Sequence, residues 1–463
     1  MTLLDSQPST DAPAPHRLGR WSRRFPRAIP MLVLAGLVLV LNPLHVRAYT
    51  KVSPFDEYAH IDSMIRGSRG QILVQPDDKL LQETLDEVAC READTEVTGL
   101  RFPRCREGRY DPATFAYRGW NQASAHTPYY YVLTGVAARA LRAPSPPDDS
   151  IVTWARLLGA VWLLVGMYLV LRAGEYLGVA RVPLVLALVL VAASPALLHA
   201  STTVNPDGAA FIGGAAVLLA ALAWEQGRRS MWLLGLSAFF CASLDTTNIM
   251  GVIVVVAYFS ARAFASYRGL DRENVRQPWT AYAGATAAMG AASFVAIFGW
   301  KLVYNLFAHD VDLSGHPART LFDIDHLDVG LVLGRDTLFG VVPPIEGYMP
   351  GTLASEPYQV FVGATALLVV GALVAAAISF KPSDRLTTLG VATLVALVVS
   401  SPVLVLYNYV SDGLYYPILT RQALATLPAA AIVIAGIAQT PVARGLLAAI
   451  AGGLYLTAVM ALL

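Results

Sequence analysis

The stretch Ser53-Pro54-Phe55-Asp56-Glu57-Tyr58-Ala59-His60 sets two adjacent carboxylates close to an imidazole, just beyond the first apolar segment of the chain. A carboxylate at a membrane face is suited to take the proton of an attacking hydroxyl, the role of a general base. Asp56 and Glu57 are therefore the candidate catalytic pair. Ser53, Pro54 and Asp56 fall at the N-cap, N1 and N3 positions of a helix start, and Gly67 is a natural stop. This predicts a short helix from Pro54 to about Arg66, on which Asp56, Glu57 and His60 share one side. A second reading fits the same residues: Asp56 only completes a capping box, a contribution of about 0.5 to 2 kcal/mol.

Several residues elsewhere have types that such chemistry would need. Arg421, Arg118 and Lys301 are candidates to hold a phosphate, arginine being suited to bidentate contact. Arg421 fits equally a side chain that snorkels at a helix end. Lys301 falls inside an apolar run or, with a shift of a few residues, at its edge. Asn205-Pro206-Asp207 reads, from the residues themselves, as the N-cap and first turn of a helix, with Asp207 favoured by the helix dipole. Between 306 and 356 the chain is rich in Asp and His (His309, Asp310, Asp312, His316, Asp323, Asp325, His326, Asp328), but no pair has the spacing of a helical metal motif. The sequence therefore requires no metal, and a divalent cation is only an open possibility. It holds no Gly-x-Ser-x-Gly, His-Glu-x-x-His, Walker loop or zinc-spaced cysteine set.

The elements that would position these groups are membrane-spanning. The chain has 463 residues, 55% hydrophobic and 14% charged, with a net charge of +1, which points to neither nucleic acid nor an acidic partner. Apolar runs of the length a bilayer demands occur at about 28 to 45, 151 to 171, 183 to 200, 207 to 224, 231 to 244, 248 to 263, 281 to 305, 357 to 379, 387 to 408, 420 to 438 and 445 to 463. The fold class is thus an all-α polytopic membrane protein of about 11 transmembrane helices. Residues 1–27, with five arginines among Pro and Ser, read as a disordered cytoplasmic tail, or with the first apolar run as a signal peptide ending at Val46-Arg47-Ala48.

Charge sorting decides the ambiguous segment 127–141. If it does not cross, the cytoplasmic loops carry Arg172 and Arg181, Arg228 and Arg229, Arg268, Arg272 and Arg276, Lys381 and Arg385, and Arg444, while the short outer connections carry no Lys or Arg. Residues 127–141 are accordingly expected as an interfacial helix anchored by Tyr129, Tyr130 and Tyr131. Two excursions then lie outside, 49–126 and 306–356, within one membrane domain spanning 28–463. Cys90 and Cys105 share the first excursion and are expected to form a disulfide closing a loop of about 15 residues, worth about 3 kcal/mol in the chain-entropy model. Cys241 reads as a small core residue.

A cytoplasmic N-terminus, one span, a large outer loop opening with Asp-Glu, and Ala125-His126-Thr127-Pro128-Tyr129 before the next spans together resemble the GT-C superfamily of polyprenyl-phosphate-dependent membrane glycosyltransferases. The nearest likeness is to an uncharacterised bacterial family of predicted integral membrane proteins. By this resemblance Asp56 and Glu57 match the acidic pair of the first outer loop, where the family places its catalytic carboxylate. His126 and Pro128 match a His-Pro-Pro-like element, with Thr127 departing from it. Asn205-Pro206-Asp207 is similar to a second recurring element, and Arg421 to the family's Arg-Tyr, with Gln422 in place of the Tyr. The resemblance implies a GT-C-like fold and sugar transfer, inverting, from a polyprenyl-phosphate-linked donor to a cell-envelope glycan, lipid or protein acceptor on the extracytoplasmic face of the cell membrane. Donor or substrate contacts would come from His60, Arg118, His126, Tyr129, Asn205, Asp207, Lys301 and Arg421. Two other functions compete: a transporter or flippase of a lipid-linked envelope precursor, which needs charges deep in several spans, and a non-catalytic scaffold of the same fold.

Overall fold

The computed structural model describes residues 28–94, 102–144, 150–270, 277–309, 330, 334, 344–412 and 420–463. The tail 1–27 and most of the Asp- and His-rich segment, from Asp310 to Asp328, lie outside the described residues. Helices follow the apolar runs: α1 (Ala28–Ala48), α2 (Glu57–Gly67), α3 (Gln82–Arg91), α4 (Tyr129–Arg142), α5 (Ile151–Tyr176), α6 (Arg181–Ala192), α7 (Pro195–Ala200), α8 (Ala210–Glu225), α9 (Met231–Leu244), α10 (Ile249–Tyr267), α11 (Trp279–Phe307), α12 (Glu356–Ile378), α13 (Arg385–Asp412), α14 (Leu427–Ile437) and α15 (Pro441–Leu462). Among the described residues the only β pairing is two isolated bridges, Val52 with Ala93 and Lys79 with Trp120.

Among the described residues, eight helices are long and apolar enough to cross a bilayer, and three shorter apolar ones, Arg181–Ala192, Met231–Leu244 and Arg421–Ile437, fill the remaining expected positions. The protein is a polytopic helical membrane protein. Two expected spans are not continuous α-helix. The run 183–200 breaks at Ser194, where Pro195 restarts the chain as α7, because proline cannot donate the hydrogen bond that would continue α6. The run 420–438 opens as a 3-10 turn, Thr420–Thr426, and becomes α-helical only from Leu427.

At the end of the bundle away from residues 49–126, one carboxylate ties four helices together. Glu225 Oε1 accepts from Arg262 Nε and Tyr282 Oη, both at 2.8 Å, and Oε2 from Tyr258 Oη at 2.8 Å and Arg385 Nε at 2.9 Å. A buried charge is tolerated only when paired and fully hydrogen-bonded, so these contacts come as a set. They account for Arg262, an arginine buried inside α10.

At the other end, α2, α3 and α4 build a second hydrophobic layer with the starts of α5 and α8. Helix α4 does not pass through the bundle. Thr127, before its first turn, bonds Ser243 O (2.6 Å), and Arg139, in its last turn, bonds Ser68 Oγ (2.8 Å) just past α2. It lies so close along α2 that a Cβ on Gly135 would stand 2.4 Å from Met64 O. Of its three expected anchors only Tyr129 is exposed; Tyr130 and Tyr131 are buried, because α4 packs its tyrosine-bearing face on protein. Cys90 and Cys105 are disulfide-bonded, their Cα atoms 4.4 Å apart, and Cys241 is buried.

Candidate active site

Helix α2 begins at Glu57, three residues later than expected, and this changes the surroundings of both carboxylates. Asp56 occupies the N-cap position, not N3, with left-handed backbone (φ 59°, ψ 12°), and its side chain makes no capping hydrogen bond. A left-handed residue bearing a Cβ costs about 1 to 2 kcal/mol, although Asp and Asn tolerate it better than most. The capping reading of Asp56 is thereby corrected: it is Glu57 Oε2 that accepts from Ser53 N, at 2.7 Å.

Glu57 is fully buried and fully used. Arg156 of α5, itself fully buried, donates Nε to Oε1 (2.9 Å) and Nη2 to Oε2 (2.7 Å); Val204 N donates to Oε1 at 2.8 Å and Ser53 N to Oε2. Four donors occupy the roughly four lone-pair sites of a carboxylate, leaving none for an acceptor or a metal. The expectation that Glu57 works beside Asp56 on one face is therefore corrected, because α2 turns Glu57 inward to Arg156. Arg156 also donates to Tyr49 O (2.8 Å) and Lys51 O (2.7 Å), pinning the exit of α1.

Asp56 is exposed, and while its backbone carbonyl accepts from Ala59 N and His60 N, its carboxylate has no hydrogen bond among the described residues. Although the residue is exposed as a whole, enough protein surrounds it that lost solvation raises the pKa of its carboxyl above the ordinary value, against the opposing charges of Arg421 and His126. The Arg421 guanidinium lies over the Phe55 ring, 4.5 Å from its centroid, and 3.5 Å from Asp207 Oδ2, with its Nε unpartnered among the described residues. It is a loosely committed cation beside Asp56.

His126 Nδ1 stands 3.3 Å from Asp245 Oδ2. Burial depresses its basicity, but the hydrogen bond and charge of Asp245, with Asp56 and Asp207 further off, outweigh that and raise its pKa above 6.5. Asp245 shows the converse: burial is overcome by the bond and charge of His126 and by Thr247, and its pKa falls to about 2. His60 is held neutral by burial and by the nearby charges of His126 and Arg421, and its Nδ1 pairs with Tyr131 Oη at 2.8 Å. Its ring meets His126 edge-on, centroids 5.5 Å apart. A crevice lined by Ser63, Ile72, His126, Pro128, Tyr131 and Val132 runs beside this group and not at Asp56 itself.

Of the expected site residues, Asp56, His60, His126, Asp207 and Arg421 converge. Asn205 stays one step back, its Oδ1 capping Asp207 N at 2.9 Å, the structural role foreseen for it. Tyr129 faces outward against Phe239. Lys301 lies in the last two turns of α11 and Arg118 on the surface; the cations acting on Asp56 are Arg421 and His126, not these two. Among the described residues no group of three or more His, Cys, Asp or Glu could hold a metal ion. Sequence reasoning missed Arg156 and Asp245. The signal for Arg156 was an ionisable residue in an apolar span. For Asp245 it was the lone charge in its short connection between apolar helices.

No protein-family model matches the sequence, and neither does any curated protein. Solved structures similar in outline include two of ArnT from Cupriavidus metallidurans. The one bound to undecaprenyl phosphate is 12% identical over 93% of this chain and 76% of its own, with a TM-score of 0.49. The apo form is 13% identical over 96% and 77%, again at 0.49. At these values the similarity is one of chain course, and nothing about chemistry rests on it.

Proposed function

We propose that this chain is a GT-C-type glycosyltransferase that moves a sugar from a polyprenyl-phosphate-linked donor to a cell-envelope acceptor at the extracytoplasmic face of the membrane. The observation that carries the reading is Asp56: exposed, held in left-handed backbone, its carboxylate free of hydrogen bonds among the described residues, and next to a loosely paired arginine. In the reaction an acceptor hydroxyl oxygen attacks the anomeric carbon from the side opposite the phosphate, and its proton passes to Asp56. The anomeric carbon–oxygen bond breaks with its electron pair going to the phosphate, and the polyprenyl phosphate leaves toward Arg421. Inversion follows from single displacement. The orientation, with 49–126 outside, rests on the basic loops at Arg228 and Arg229 and at Lys381 and Arg385 against the uncharged connection 201–206.

The test is radiolabelled sugar transfer from a polyprenyl-phosphate donor by purified Asp56→Asn protein. Asparagine tolerates left-handed backbone, so the fold stays, while loss of the base lowers transfer by about a hundred- to ten-thousandfold. An Asp56→Asn protein that transfers at the wild-type rate overturns the proposal.

A further inference from the structure

His126 is exposed, yet it is held in place from three sides. Trp300 Nε1 of α11 donates to Ala125 O (3.3 Å), Thr127 Oγ1 donates to Ser243 O of α9 (2.6 Å), and between these two ties His126 Nδ1 bonds Asp245 Oδ2 (3.3 Å). The His126 side chain is 41% exposed and that of Asp245 6%. With Nδ1 spent on a buried carboxylate, Nε2 is the nitrogen left for a ligand. Ordering an exposed side chain in the free protein costs entropy, and what it gains is a donor already aimed when the ligand arrives.

Asp245 also caps the turn Thr246–Asn248 before α10, its Oδ1 accepting from Thr247 N (2.8 Å) and Thr247 Oγ1 (2.7 Å). Capping asks for an oxygen and not for a charge, since Asn caps as well as Asp. The charge serves Oδ2 and His126. Arg421 is held in the same manner: a buried carboxylate, Asp207, stands 3.5 Å away, and Arg421 Nε is unpartnered among the described residues. The pairs that tie helices together close to 2.7 Å at Glu57–Arg156 and 2.8 Å at Glu225–Arg262. Arg421 and His126 are thus two cations held at longer range by buried carboxylates, and the charges of both reach Asp56.

We propose that Asp245 is a positioning residue, holding His126 by Nδ1 so that His126 Nε2–H and the Arg421 guanidinium together bind the phosphate of the polyprenyl phosphate. Phosphate is the group in that reaction that carries negative charge on several oxygens and so takes more than one cationic donor. Around His126 stand Asp245, Asp56 and Asp207, whose charges favour its protonated form, and the rings of His60 and Tyr131, centroids 5.5 and 6.5 Å away; α11 contributes Lys301, next to Trp300 in the chain. The inference rests on the transferase reading for the identity of the phosphate, but the binding it predicts is independent of turnover.

The test is isothermal titration of farnesyl phosphate, a short polyprenyl phosphate, into full-length protein in nanodiscs of neutral lipid, with empty nanodiscs subtracted and with farnesol and inorganic phosphate as controls. Wild type is expected to bind farnesyl phosphate at least about tenfold more tightly than either control. Asp245→Asn keeps the cap and loses the charge. At about pH 6.5 it should weaken binding about tenfold, and by less as pH falls toward 5, because acid protonates His126 without the help of Asp245; the ligand's own titration cancels in the ratio to wild type. His126→Gln should weaken binding about tenfold by itself, and Asp245→Asn should add less than about twofold to it, since Asp245 acts through His126. Thr247→Val disturbs the cap alone and should bind within about twofold of wild type. An unchanged Cys90–Cys105 bond and elution volume check the fold, and if Asp245→Asn does not fold, His126→Gln and Thr247→Val decide. Wild-type binding in His126→Gln or Asp245→Asn, a weakening in Asp245→Asn that is the same at every pH or adds fully to that of His126→Gln, or a control that binds as tightly as farnesyl phosphate overturns the proposal. A protein that transfers sugar with a phosphate affinity indifferent to Asp245 keeps the transferase reading and loses this one, and one that binds as expected without transferring does the reverse.

Discussion

Replacing Arg156 by Met strands the Glu57 carboxylate in the interior. In the native structure four donors satisfy that carboxylate, two of them from Arg156, and both side chains are fully buried. The substitution leaves one N–H per oxygen, from Val204 and Ser53, and also frees the carbonyls of Tyr49 and Lys51. Removing one partner of a buried ion pair costs about 3 to 5 kcal/mol, because the remaining charge stays uncompensated. Since Glu57 opens α2 and Arg156 lies in α5, the loss falls on the attachment of residues 49–67 to the bundle and not on the bundle itself. Hydrogen–deuterium exchange by mass spectrometry reads this directly. Protected amides of α2 should exchange faster by about two to four orders of magnitude, each factor of ten being about 1.4 kcal/mol. Those of α12 and α15, remote from the pair, should stay near wild type. Arg156→Lys keeps the charge but not the bidentate fork and should fall between. An Arg156→Met protein whose α2 amides exchange within fivefold of wild type would refute the claim that this pair docks the loop.

Three further outcomes follow from the geometry. The His126–Asp245 pair has both members charged where His126 is protonated and Asp245 is not. With His126 raised, its contribution is complete below the free-imidazole 6.5 and fades as pH climbs through the raised value; with Asp245 lowered to about 2, the acid limb is lost only as pH falls toward 2. The difference in thermal midpoint between wild type and His126→Gln should therefore be greatest between about pH 4 and 6.5 and vanish at high pH; a difference that grows with pH contradicts the assignment. Reducing the Cys90–Cys105 bond should lower stability by about 3 kcal/mol and open residues 91–104 to protease, with the linked peptide recovered by mass spectrometry from non-reduced protein. Gly135→Ala sets a methyl against Met64 O and should cost about 1 to 3 kcal/mol by pushing α2 off α4, measurable as a lower thermal midpoint together with reduced transfer, since α2 carries Asp56.

Length and hydropathy determined the spanning helices from sequence alone, because a bilayer demands about 20 apolar residues wherever a helix crosses it, whatever its neighbours. The sorting of arginine and lysine assigned 127–141 to one side of the membrane from sequence alone. Asp56 and the convergence of His60, His126, Asp207 and Arg421 were partly legible, since the residue types suited to proton transfer and to holding an anion are few. The roles within the Asp-Glu pair were decided only by the fold. Local sequence expects Ser53 N to be capped by the side chain at N3 of a helix starting at Pro54, and that would be Asp56. In the structure Glu57 takes this N–H, because Arg156, 99 residues away, offers its carboxylate a buried bidentate partner that outweighs the local preference. The helix start moves to Glu57, Asp56 is left in strained backbone facing solvent, and the carboxylate with no structural bonds stands beside Arg421. Capping preferences act within a few residues and are worth about 1 kcal/mol, whereas a buried charge must find its partner wherever the chain supplies one, a choice that only the tertiary structure makes.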